Sequence, residues 1–595
     1  MLRKTFILIT IISFSINTFA KDRESNGNLN YKTIGVGVDC DYDVNGGFTL
    51  TDVLATTIPE IRLANNTVYT GQFTPSVGVI LRGGYANCTD ANDDIQSSSA
   101  SILDANHLGT VLSITNNGSY RLENIKTING QTAGNGGGIA LNAFDMTIML
   151  DQVIVENNVA QNGAGIFKNG SNNILLIIRD STIVSNSSTL GNGGGIYFSG
   201  DGELIIYGDT QITDNVAKNG AGLMIVGATA TLIGGANPTS GISSNKASEN
   251  GGGLNIDLFS NVTISGGIKN ITGIGSVGVA DANFNIFLNE ADSDNNFSGS
   301  GGGIYIHNSI VNAEALSLVL NKSNTQGGGV AIFSEQLNTT EFNLSRPLNT
   351  TCQIGSGEMG CNIIAYNFAN MGGAIYSASL PMAASKSTVS STSFNNNRAN
   401  TATAVYVLAS ELSIHSSVLH DNGNLGLAGF QDKYVLYVES LTNGEGKLDI
   451  IQTTAIKNKA TISFIHNNNS SLNSYVNFYY NDLTGPWLSE TLGSTLNTQF
   501  DCQRIDDANN TDDAIHSTLT SSPLDLPTYF IDLVNYNYHL KDNSLLVDYT
   551  GSQCIDNPGN TPVLKDIDGD PRTLRRDLGA DENLSNDIIF KNDFE

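Results

Sequence analysis

The chain reads as an all-β protein, a right-handed parallel β-helix of three-sided coils with a short N-terminal helical cap. Three observations predict this. A glycine-rich motif recurs about every 27 residues, strand-like alternation follows each copy, and the composition is poor in helix formers.

The composition sets the class. The 595 residues include 63 Gly and only 14% charged residues, and Asn, Ser and Thr are abundant. These are weak helix formers, because glycine loses most backbone freedom and the small polar side chains compete for backbone hydrogen bonds. A hydrophobic content of 40% is too high for a disordered chain.

The motif places Asn and glycines ahead of an aliphatic residue. It reads GNGGGIAL at 134–141, QNGAGIFK at 161–168, GNGGGIYF at 191–198, KNGAGLMI at 218–225 and ENGGGLNI at 249–256. It returns as GSGGGIYI at 299–306, TQGGGVAI at 325–332 and NMGGAIYS at 370–377, with a degenerate ATAVYV at 402–407. The marker residues Ile139, Ile166, Ile196, Leu223, Leu254, Ile304, Val330, Ile375 and Val405 are separated by 27, 30, 27, 31, 50, 26, 45 and 30 residues. Each coil is expected to hold about three short strands, paired in parallel with the next coil. The two long steps are read as two coils each or as one coil with an inserted loop.

Alternation after each marker puts Ile196 and Phe198 inward and Tyr197 outward. An Asn precedes most markers by eight to ten residues: Asn158, Asn186, Asn215, Asn245, Asn321, Asn367 and Asn397. Stacked at equivalent turns, these amides are expected to form a ladder. A solenoid needs covered ends. Residues 49–57, with apolar Leu50, Val53 and Leu54 and with Pro59 beyond, are expected to form the capping helix.

Export is predicted by Arg3 and Lys4, the apolar run 5–16 and the small residues before a cleavage site at Ala20. The resulting division is 1–20 signal peptide, 21–64 N-terminal segment and cap, and 65–480 repeats. Residues 481–582 follow as C-terminal coils and closing module, and 583–595 as a tail. No later segment has the length of a membrane span, so the expected location is extracellular or on the cell surface. Six cysteines in an exported chain predict disulfides, with sequence neighbours favouring Cys40–Cys88, Cys352–Cys361 and Cys502–Cys554 among 15 pairings. The net charge of −28 excludes nucleic acid as a partner.

The Gly-Gly-Gly-Ile and Gly-Gly-Ala-Ile copies, each preceded by Asn, resemble the repeats of polymorphic outer-membrane proteins and related bacterial β-helix proteins, as does GGYANC. The stretch YHLKDNSLLVDY followed by DIDGDPRTLRRDLGADE (566–582) resembles the closing module called choice-of-anchor. The resemblance implies the fold and a surface or secreted setting. It does not imply one activity, since this solenoid hosts adhesins, lyases and hydrolases. The chain departs from autotransporter-type members in ending at DIIFKNDFE (587–595) where they carry a membrane barrel.

Candidate chemistry is sparse. The Gly-His-Gly, Arg-Ile-Lys and Arg-x-Pro-x-x-Arg signatures of β-helix pectinases are missing from the sequence. The pairs Asp93-Asp94, Asp506-Asp507 and Asp512-Asp513 read as solvated loop acids, and the repeat strands read as nearly free of acids. Asp566, Asp568 and Asp570 are candidate calcium ligands, with ion pairing to Arg572, Arg575 and Arg576 as the favoured alternative. The position after each marker holds Phe167, Tyr197, Tyr305, Tyr376 and Tyr406, expected to form an outward aromatic stripe that contacts a glycan or a protein. The sequence therefore leans away from an enzyme. It points to an adhesin or structural protein binding a glycan or cell-surface macromolecule, with a polysaccharide lyase or hydrolase as the alternative.

Overall fold

The computed structural model describes residues 31–459, apart from 171–172, 336–339, 347–360, 381–384, 424–428, 442–443, 452 and 457, together with isolated strand backbone up to residue 540. The signal segment, the closing module and the tail lie outside these residues. The chain forms two units, Met1–Val279 and Ala280–Glu595. Each is a stack of parallel coils, as the repeat predicts.

One coil of the first unit shows the plan. Asn173–Arg179 lies in sheet A, Thr182–Val184 in sheet B, Ser187–Asn192 in sheet D and Ile196–Ser199 in sheet C. The next coil repeats it with Gly202–Tyr207, Gln211–Thr213, Val216–Asn219 and Leu223–Val226. Leu176 pairs with Leu204, Ile183 with Ile212, Ser187 with Val216 and Ile196 with Leu223, all in parallel. A coil thus carries four strands rather than the expected three, because the glycine cluster bends the third side into sheets D and C. Stacking is already present where Tyr31–Gly35 pairs with Glu60–Ala64, ahead of the Asn65 start expected from the repeat.

The markers fall in register. Ile139, Ile166, Ile196, Leu223 and Leu254 stack in the first unit, and Ile304, Val330, Ile375, Val405 and Leu436 in the second. All are fully buried. Val330 pairs directly with Ile375, so that long step is one coil with an insertion. Leu436 marks a further copy that no longer carries the glycines.

The asparagines form the expected ladder. In the first unit Nδ2 of Asn158 donates to Oδ1 of Asn186 at 2.9 Å, Asn186 to Asn215 at 3.0 Å and Asn215 to Asn245 at 3.0 Å. In the second unit Asn289, Asn321, Asn367, Asn397, Asn422 and Asn458 continue the pattern, of which Asn289, Asn422 and Asn458 were not legible from the glycine motif. Each rung also satisfies backbone. Asn215 Nδ2 reaches the Ile183 carbonyl at 3.0 Å, and its Oδ1 accepts the Asn186 N–H at 3.0 Å.

The glycines are dictated by this packing. A Cβ on Gly195 would stand 2.5 Å from the Gly222 carbonyl and 3.0 Å from Asn215 Nδ2. Gly193 has φ +64 and turns the chain from sheet D into sheet C, a backbone state that suits glycine. The helix Leu50–Leu54 is present. Thr49 and Asp52 form its capping box, and Leu50, Val53 and Leu54 are buried. Cys40 and Cys88 form the expected disulfide. Cys361 is also disulfide-bonded, whereas Cys352, Cys502 and Cys554 lie outside the described residues.

Asn215→Ala should remove an acceptor from two buried donors and lower the unfolding free energy by roughly 3 kcal/mol. Urea midpoints will check it, with Asn261→Ala, at an exposed strand position, as the near-neutral control.

Candidate functional site

Parallel register turns any outward residue that recurs from coil to coil into a column. Two such columns dominate the described surface, one aromatic and one ionic.

The aromatic column lies on sheet C. In the first unit Phe167 and Tyr197 pair in register and stack at 5.5 Å. In the second unit the register runs Tyr305, Ala331, Tyr376, Tyr406, Tyr437. Ala331 supplies no ring, and Phe333, two residues on, fills the gap at 5.3 Å from Tyr305 and 5.5 Å from Tyr376. Tyr376, Tyr406 and Tyr437 then stack at 5.2 and 4.5 Å. Phe333 and Tyr437 escape a reading confined to the position after each glycine motif, because one is a diagonal neighbour and the other follows a marker without glycines.

These rings are less open than an exposed stripe. Phe167, Tyr376 and Tyr406 are only 6%, 3% and 6% exposed, while Tyr197 and Tyr305 are half-buried. The cause is geometric: rings in successive coils cover one another, and the left-handed glycine of each motif folds back over the aromatic position of its own coil, as Gly193 does over the Tyr197 Cα. The Tyr406 hydroxyl donates to Glu439 at 2.6 Å. Burial, then that carboxylate, raises its phenol well above the ordinary value.

The ionic column lies on sheet A of the first unit. Arg62, Arg82, Glu123, Asp151 and Arg179 follow one another in register. Arg62 Nε donates to Glu60 at 2.7 Å, and Arg82 lies 3.3 Å from Glu60 and 3.4 Å from Glu123. Arg121 bridges Glu123 and Asp151, each at 2.9 Å, and Arg179 holds Asp151 through Nε and Nη2. Asp151 and Glu60 side chains are 2% exposed. The expectation of strands nearly free of acids is therefore corrected for this face. Asp94 is corrected too: it accepts from Tyr85 at 2.6 Å and faces Arg62 and Arg82 rather than solvent alone. These residues sit outside the glycine motif, and only their spacing of about one coil marks them.

Three further groups bear on chemistry. Lys168 points inward, donates to the carbonyls of Gly170, Ser199 and Asp201, and is pulled down to about 8 by burial. Glu203, half-buried on sheet A between Leu175 and Thr229, has its carboxyl raised by desolvation. Ser393, His420 and Asp421 line up as nucleophile, base and orienter, at 3.5 Å between Ser393 Oγ and His420 Nε2 and 3.0 Å between His420 Nδ1 and Asp421. Ser393 is fully buried and takes a hydrogen bond from Asn395, so no acyl group reaches it and the trio is a brace.

Among the described residues no group of His, Cys, Asp and Glu is arranged to hold a metal, and no helix is long and apolar enough to cross a membrane. Asp566, Asp568 and Asp570 lie outside the described residues. No protein-family model and no curated protein matches the chain.

Two outcomes are expected. Asp151→Asn should cost roughly 3 kcal/mol, since it strips a buried partner from Arg121 and Arg179, while Lys126→Ala in the half-buried pair with Glu156 should cost under about 1 kcal/mol; chemical denaturation measures both. Glu203 binds its proton more tightly folded than unfolded, so its contribution is full below the unfolded pKa and is lost as pH rises through the folded one. Glu203→Gln should accordingly raise the melting temperature at pH 7 and leave it nearly unchanged at pH 3.5.

Proposed function

We propose that this is a secreted or surface-associated β-helix of adhesin or structural type, which binds a glycan or cell-surface macromolecule through a solenoid face. The observation that carries the reading is the way the outward side chains are used. The acids of the ionic column, Glu60, Glu123 and Asp151, are closed into pairs with Arg62, Arg82, Arg121 and Arg179, and the rings of sheet C are closed into stacks. Such faces are rigid and repeat with the coil, which suits recognition at low entropic cost. A glycosidase instead needs two carboxyl groups flanking one bond. Glu203 has Leu175 and Thr229 as register neighbours and does not form that pair. The signal-like N-terminus, the acidic surface and the resemblance to outer-membrane repeat proteins support the location.

Tyr197 and Tyr305 are, with Phe333, the half-buried members and have surface left for a sugar or protein contact; the two tyrosines are the ones that the repeat singles out. Replacing both with Ala should weaken glycan-array or whole-cell binding about tenfold, equivalent to ~1.4 kcal/mol. Unchanged binding would remove the stripe from the function. The lyase or hydrolase alternative is tested by turnover of acidic and neutral polysaccharides, with and without calcium. The buried trio predicts that a fluorophosphonate leaves Ser393 unmodified, and labelling there, read by mass spectrometry, would turn the reading towards an enzyme.

A further inference from the structure

The outward face of sheet A in the first unit carries an apolar platform next to the ionic column. Met149, Leu175, Ile177, Ile205, Tyr207 and Ile233 point away from the coil interior, yet each is at least nine-tenths buried. The same columns elsewhere hold Thr147, Thr231 and Thr263, so the coil does not need apolar residues there. What covers the platform is an excursion of the chain, Lys269–Ile271 paired antiparallel with Gly275–Val277, which sets Ile271, Ile274 and Val277 on it.

This hairpin is held weakly. It forms a separate two-stranded sheet that takes no ladder bonds from sheet A. Isolated hairpins of this size are marginal in water. Asn270, Thr272, Gly273, Gly275 and Ser276 are exposed. Gly267, Gly273, Gly275 and Gly278 all have positive φ, at 68, 85, 96 and 92. Three half-buried side chains hold it to the platform, and its base is pinched, where a Cβ on Gly278 would meet the Gly267 carbonyl at 2.1 Å.

We propose that the hairpin is a displaceable strap, and that the platform beneath it is a docking groove for an extended, predominantly apolar segment of a partner protein. The hairpin itself defines the occupant: an extended backbone presenting aliphatic side chains to a row of Ile, Leu and Tyr. Uncovered, the platform presents six contiguous apolar side chains, the kind of patch that marks an interaction site. Glu203, beside Leu175 and two residues before Ile205 on the same face of its strand, has no hydrogen-bond or ion-pair partner among the described residues, and it supplies an acceptor for a backbone or cationic donor of the incoming segment. This inference concerns a different face from the aromatic column and stands or falls separately from it.

Hydrogen exchange on the intact chain is the first test. Amides of 269–277 should exchange at least a hundredfold faster than those of Gly202–Tyr207 and Thr229–Ile233, and a synthetic peptide copying 269–277, added in excess, should speed hairpin exchange further. In a variant with 268–277 replaced by a Gly-Ser linker, that peptide should bind, and Ile205→Lys in the same background should reduce binding at least tenfold. Hairpin protection equal to that of the sheet overturns the proposal, as does a folded strap-less variant that takes up no peptide. If that variant does not fold, exchange on the intact chain alone decides.

Discussion

The buried asparagine ladder is the constraint on which the rest of the structure depends. Between sheets B and D the chain reverses within a single left-handed residue, such as Asn157, Ser185 or Asp214. That turn leaves backbone groups facing the next coil. The following Asn satisfies them with both ends of its amide and passes the same arrangement upward. Because each amide up to Asn422 is buried, an unfilled rung would strand donors and acceptors without water. The ladder also explains the glycines, whose missing Cβ makes room for the amide of the neighbouring coil.

A ladder fixes position but not sequence distance. Asn321 and Asn367 are 46 residues apart and bond at 3.1 Å, while Asn158 and Asn186, 28 apart, bond at 2.9 Å. Extra chain therefore leaves the coil at other corners without disturbing the stack. The same tolerance admits costly residues at the left-handed turn. Leu288, Leu320 and Tyr366 occupy it in three successive rungs and are 50%, 42% and 41% exposed. A left-handed backbone is expensive for such side chains.

The outward faces follow from register. Once coils stack, an Arg on one strand meets whatever occupies the equivalent and diagonal places on the next, so recurring Arg, Glu and Asp become an ion-pair column and repeated Tyr becomes a stack. Such buried charges favour specificity of register more than net stability, since desolvation offsets much of the attraction. They also remove acids from the chemistry available at the surface, and this shapes the functional reading more than any single side chain does.

The repeat was legible because it is local. Glycines, an Asn and alternating aliphatic residues lie within about twelve residues of one another, and each has a backbone reason to be there. From the sequence alone came the parallel β-helix, the marker register, most of the ladder, the Leu50–Leu54 helix and the Cys40–Cys88 disulfide. Only the tertiary structure decided which outward residues meet. Phe333 fills the place of Ala331, Asp151 lies between Arg121 and Arg179, and Ile271 folds onto Ile205 from a distant stretch of chain. The physical reason is that a strand's in-out alternation is set by its own backbone, whereas the partner of an outward side chain is set by coil length and insertions, which no local pattern records.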